Sequence, residues 1–130
     1  MERIERTALR NLIHNEEYSR KVLPFIKEDY FSDRLEKLLF KEIYKFITKF
    51  NALPTKEALS IEINDSKDIN EDEYKKITDI IATLNPEKIN LEWLVETTEK
   101  FCKDRAIHNA ILGGIQIIDG KDKKHTPEYL

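Results

Sequence analysis

Residues 91–119 read LEWLVETTEKFCKDRAIHNAILGGIQIID, and this stretch decides the fold. Asn90 stands where an N-cap belongs and Gly120 where a C′ residue belongs, so the spacing predicts one long helix from about Leu91 to Asp119. At about 100° per residue, Leu91, Leu94, Val95, Thr98, Cys102 and Ala106 fall on one side. That stripe suits packing on the helices before it. In the second half the apolar face moves. Ile107, Ile111 and Ile118 lie nearly opposite the first stripe, flanked by Ala110, Gly114 and Ile115. The small residues Ala110 and Gly114 would let another helix approach closely. Either both stripes pack inside one bundle, or the helix projects and its far half meets a partner. The second reading is favoured, and it requires a partner, because a stripe of Ile107, Ile111, Ile115 and Ile118 left uncovered would invite aggregation.

Thr126-Pro127-Glu128 is a second helix start, with Thr at the N-cap, Pro at the first helical position and an acid in the first turn. The chain is therefore expected to be the N-terminal piece of a longer protein. The helix from Pro127 could fold back on the long one as an αα-hairpin, and a second subunit is the other candidate partner.

Toward the N-terminus the pattern stays helical. Ala8, Leu9, Leu12 and Ile13 share a face of a helix over about Ile4 to His14. Tyr18, Val22, Phe25 and Ile26 do so over about Glu17 to Ile26, with Pro24 bending or shortening it. Ser32 is the expected N-cap of the next helix, in which Leu35, Leu38, Leu39, Ile43, Phe46, Ile47 and Phe50 follow helical spacing, interrupted by Glu42. Phe40 and Tyr44 widen that stripe and make this helix central. Thr55 caps a short helix with Ala58, Leu59 and Ile61, and Asn64 to Asp68 reads as a polar loop. Asn70 and Glu73 fit a capping box opening a helix with Tyr74, Ile77, Ile80, Ile81 and Leu84, closed by Asn85-Pro86. The expected fold is all-α: a small helical bundle over residues 1–90, a long projecting helix over 91–119, and a loop with a truncated second hairpin helix over 120–130.

Composition agrees. Of 130 residues, 40% are hydrophobic and 36% charged, with 3 glycines and 4 prolines, which favours helices over a turn-rich β fold. The net charge of −3 argues against a default nucleic-acid-binding role, and Arg20-Lys21 and Lys123-Lys124 read as solvated faces. One cysteine cannot make an internal disulfide, which points to a reducing cytoplasm. No signal peptide or membrane-spanning stretch is legible.

The chemistry-bearing motifs are negative. Gly114 to Asp122 imitates a phosphate-binding loop, but five residues separate Gly114 from Gly120 instead of four. Asp122 also stands where the loop needs Ser or Thr, and would repel phosphates. His14, His108 and His125 have no metal-like spacing to each other or to Cys102. Cys102 reads as a small core residue, and His108 points about 120° away from it on the same helix, so nucleophile activation is not expected. Glu16-Glu17 and Glu71-Asp72-Glu73 sit at helix starts, where the macrodipole favours acids. Trp93 and Tyr30-Phe31 read as core anchors rather than base-stacking platforms. No catalytic, cofactor-binding or metal residue is assigned.

Three stretches together resemble the N-terminal domain of the replicative DNA helicases of T-even-type bacteriophages, relatives of the bacterial DnaB helicase. The first is Tyr18-Ser19-Arg20-Lys21-Val22-Leu23-Pro24-Phe25 with Tyr30-Phe31. The second is Leu53-Pro54-Thr55 with Ala58-Leu59. The third runs from Trp93 to Phe101 and continues to Arg105-Ala106 and Asn109-Ala110. The resemblance implies a non-catalytic helical bundle followed by a helical hairpin whose copies pair and build a collar on a hexameric ring. It implies primase as a partner, with a helicase loader as another, and residence in the cytoplasm of an infected bacterium. ATP and Mg²⁺ would belong to a RecA-like motor domain of the parent protein. That motor would thread single-stranded DNA and move 5′ to 3′ on it. The expected assembly surface is Ile107, Ala110, Ile111, Gly114, Ile115 and Ile118, a choice made from periodicity and supported by the resemblance. The rival reading is a standalone helical adaptor that binds a host protein. A small single-strand-binding module is a third, disfavoured by the charge.

Overall fold

The computed structural model describes residues 2–118, with side chains through Gly114. Among these residues the chain is entirely helical. Helix α1 spans Ile4–His14, α2 Glu16–Val22, a 3₁₀ turn Glu28–Tyr30, α3 Arg34–Phe50, α4 Lys56–Asp65, α5 Glu71–Thr83 and α6 Leu91–Ile118. The loop beyond α6, Gly120 as its C′ residue, and the helix start at Thr126-Pro127-Glu128 lie outside the described residues.

Helix α3 lies at the centre, against α1, α4, α5 and the 3₁₀ turn, while α6 packs on α2, α1 and that turn. Leu9, Leu12, Leu39, Ile43, Leu59, Ile77 and Leu94 are fully enclosed where these helices meet. Phe31 stacks on Phe40 at 5.0 Å and meets Phe101 edge-on at 6.3 Å, tying the 3₁₀ turn to α3 and α6.

Local chemistry sets most boundaries. Asn15 breaks α1 from α2 and caps α2 by accepting from the Tyr18 N–H at 3.0 Å. The Ser19 hydroxyl donates to the Leu12 carbonyl at 2.7 Å and ties the two helices together. Regular α2 stops at Val22, short of the expected Ile26, because Pro24 supplies no N–H to the ladder. One further helical turn persists, in which the Ile26 N–H reaches the Val22 carbonyl at 2.9 Å.

Asp33, not Ser32, caps α3. Its carboxylate accepts from the Leu35 and Glu36 N–H groups at 2.8 and 3.1 Å. The Ser32 hydroxyl instead accepts from Arg105 of α6 at 3.4 Å. Asn51 ends α3 at φ 51°, a left-handed conformation that asparagine tolerates. The expected apolar stripe of α3 is covered only in part, since Tyr44 and Phe50 stand exposed. Helix α4 runs through Asn64 and Asp65, two residues assigned to a loop on sequence grounds, and Ile61 faces solvent. The capping box at Asn70 and Glu73 is present in both directions.

Candidate assembly surface

Helix α6 opens with Asn90, whose side chain accepts from the Trp93 N–H at 2.8 Å. Over its first three turns it belongs to the bundle. Leu94, Thr98 and Cys102 are buried, and Leu91, Val95 and Phe101 are half-buried around them. The Thr98 hydroxyl donates its single proton to the Leu94 carbonyl at 2.8 Å. The Tyr18 hydroxyl, 2.8 Å from the Thr98 oxygen, is therefore the donor of the bond that locks α6 to α2. Burial pushes the Tyr18 phenol well above its ordinary value, so this donor is never lost to ionisation near neutrality.

Contact with the bundle continues one-sidedly to Asn109. Arg105 reaches Ser32 and lies 3.7 Å from the Glu5 carboxylate, with its guanidinium over the Phe101 ring at 5.9 Å. The Asn109 side chain donates to the Asp29 carbonyl at 3.1 Å. Both anchors lie on the face that carries Leu94 and Thr98.

The opposite face is open. Ile107 is 60% and Ile111 57% exposed, and Ala110 is exposed beside them. A Cβ built on Gly114 would meet no atom within 4 Å, leaving a smooth place for another helix to approach. The structure thus brings Ile107, Ala110, Ile111 and Gly114 onto an uncovered part of α6. The side chains of Ile115 and Ile118 lie outside the described residues.

Two residues differ from expectation. Ala106, expected on the buried stripe, is exposed, because the side on which it falls opens onto a shallow pocket shared with Phe25, Tyr30 and Cys102 rather than onto packed core. Trp93, expected as a core anchor, is 53% exposed. It sits one residue, about 100°, away from buried Leu94 and shares the solvent-facing line of Ile107 and Ile111. Tyr30 and Phe31 do anchor the core, half-buried and buried respectively. Leu112 is exposed as well, but it follows Leu94 by 18 residues, about five turns, and so falls on the bundle-facing line of α6 beyond Asn109 rather than beside Ile107 and Ile111.

The remaining chemistry is sparse. Among the described residues no group of three His, Cys, Asp or Glu side chains is placed to hold a metal ion. No described helix is long and apolar enough to cross a membrane. Gly114, the first residue of the phosphate-loop imitation, is helical, and Gly120 to Asp122 lie outside the described residues. Cys102 is a free, buried thiol, pushed up to about 11 by its burial and then by the nearby Glu99 carboxylate. A thiol so placed is almost fully protonated near pH 8, so iodoacetamide is expected to modify it at least about tenfold more slowly in the folded chain than in urea. Equal rates, followed by mass spectrometry, would contradict its burial.

No family model matches the chain. Over 109 residues, 84% of the chain, the sequence is 31% identical to a DnaB-like replicative helicase of Enterobacteria phage T4. This similarity supports a relationship to replicative helicases. The matched region amounts to 23% of that relative, so the chain spans under a quarter of the relative's length.

Proposed function

We propose that this chain is the N-terminal, non-catalytic assembly domain of a DnaB-like replicative DNA helicase, and that the outer face of α6 pairs one subunit with the next in a hexameric ring. The single observation that carries the reading is the uncovered apolar line of Ile107 and Ile111, on a helix whose other face is fixed into the bundle. The 31% identity to a phage T4 helicase gives that surface its context. A helix returning from Pro127 would complete a hairpin with α6, and Ala110 and Gly114 would permit close approach. In this reading the domain contributes ring stability and couples primase to the ring. ATP and Mg²⁺ bind a separate motor domain of the parent protein, which moves on single-stranded DNA and unwinds the duplex at the fork.

The test is Ile111→Asp in a longer chain that assembles. Burying one isoleucine contributes about 1.5–3 kcal/mol, and a carboxylate in its place must be desolvated. Each tenfold change in association corresponds to about 1.4 kcal/mol, so sedimentation should show self-association weakened about tenfold or more. The thermal midpoint of the isolated bundle should stay unchanged, since Ile111 touches none of its core. An unchanged oligomeric mass would overturn the assembly role and favour an adaptor that binds another protein.

A further inference from the structure

A groove between the end of α2 and the outer side of α3 has no part in the reading above. It encloses about 410 Å³. Leu23, Ile26 and the Phe40 ring line its floor, and Tyr44, 43% exposed, stands in its wall with its ring 6.1 Å from that of Phe40. Lys27, Lys41 and Lys45 stand around it, and Glu28 is the one acid among the lining residues. In a chain with a net charge of −3 this is a local reversal of sign.

The basic character extends along α3. Lys37, Lys41, Lys45 and Lys49 recur at every fourth residue, with successive members about 6 Å apart along the axis. Like charges at this spacing weaken a helix, so the row opposes the stability of the element that carries it. Neighbouring acids restrain it only loosely. Lys41 lies 3.5 Å from Asp68 and Lys45 3.5 Å from Glu42, and the two lysine side chains are 43% and 61% exposed. Ion pairs of that length and exposure hold little.

We propose that this groove docks an acidic peptide bearing one apolar anchor residue. The anchor enters over Phe40 beside Tyr44, and flanking carboxylates meet Lys27, Lys41 and Lys45. Charge complementarity selects an acidic partner, and the apolar floor selects a peptide. Alternate residues of an extended peptide stand about 6.6 Å apart, close to the rise between Lys41 and Lys45, so carboxylates two residues apart can address successive lysines. A nucleic-acid strand would need several stacking faces along a continuous basic track. Here one exposed ring lines the groove. The site lies on the segment that follows α2 and on α3, away from the outer face of α6, so it stands or falls independently of the assembly role.

The test titrates the full ¹⁵N-labelled chain with the synthetic peptide acetyl-Asp-Glu-Phe-Asp-Glu-amide. Saturable amide shifts are expected around Leu23 to Lys27 and Phe40 to Lys45. The Lys41→Glu/Lys45→Glu variant and a peptide with glycine in place of phenylalanine should each bind about tenfold more weakly. Tyr44→Ala should weaken binding while retaining the charge. All variants should keep the helical circular dichroism of the parent chain, since the altered side chains are exposed. Absence of saturable shifts would overturn the proposal. Equal affinity for the glycine peptide would overturn the anchor, and with it the groove. Tighter binding of oligothymidylate to the same amides would replace the peptide by nucleic acid.

Discussion

Leu39→Ala is expected to lower the stability of the bundle by about 3–5 kcal/mol, the upper part of the range for a buried leucine. Leu39 has no solvent exposure and lies on α3, the helix that touches α1, α4, α5 and the 3₁₀ turn. Truncation removes apolar surface that the fold withdraws from water, and leaves a void that helices on several sides would have to shift together to close. Domains of this size are stable by about 5–15 kcal/mol, so the loss is a large fraction of the total. Urea unfolding followed by circular dichroism measures it as a lowered midpoint at unchanged slope. Ile61→Ala is the internal control. Ile61 is exposed on α4, and its truncation should change stability by no more than about 0.5 kcal/mol. Equal effects of the two substitutions would mean that α3 is not the centre of the core.

The same contrast explains what was legible in the sequence. Elements with a self-contained signal were readable. The periodicity of Ala8, Leu9, Leu12 and Ile13 marks α1 over Ile4–His14, and the Asn70–Glu73 capping box marks the start of α5. The uncovered side of Ile107 and Ile111 was also legible, because the buried stripe of Leu94, Thr98 and Cys102 leaves them nearly opposite. Trp93 could have been read the same way. It precedes Ile111 by five helical turns of about 3.6 residues and so lies on the same line, although the residue type alone favours burial. The choice between Ser32 and Asp33 as the cap of α3 was not local. Both residues can cap, and what separates them is Arg105, far along the chain, which engages the Ser32 hydroxyl. The groove beside Phe40 was invisible for a similar reason. Its lysines carry no distinguishing signal in the sequence, and only the placement of Leu23 and Ile26 beside α3 gives them an apolar floor.

Removing both arginines that face Glu36 is expected to cost more than removing Glu36 itself. The Glu36 side chain has no solvent exposure, although it sits in the first turn of a central helix. Its Oε2 accepts from Arg3 at 2.6 Å and from Arg6 at 3.1 Å, and Oε1 has no hydrogen-bond partner. The arginines are differently placed, with 51% and 26% of their side chains exposed. Once separated from Glu36 they can turn to water, whereas the carboxylate cannot. In Arg3→Ala/Arg6→Ala the buried charge is stranded, and the expected loss is about 3–5 kcal/mol. Glu5, which also lies near Arg3, keeps Arg105 at 3.7 Å, so the loss falls mainly on Glu36. Glu36→Leu removes the charge and the unpartnered oxygen together while filling a similar volume, and its stability should lie within about 1 kcal/mol of the parent or above it. Glu36→Ala should fall between the two, because it leaves a void but strands no buried charge. The ordering, read from urea midpoints, separates a carboxylate whose desolvation is offset by its two arginines from one that merely decorates the helix start. If the double arginine variant proved as stable as Glu36→Leu, the buried carboxylate would not depend on its partners. The link between the N-terminal segment and α3 would then rest on apolar packing alone.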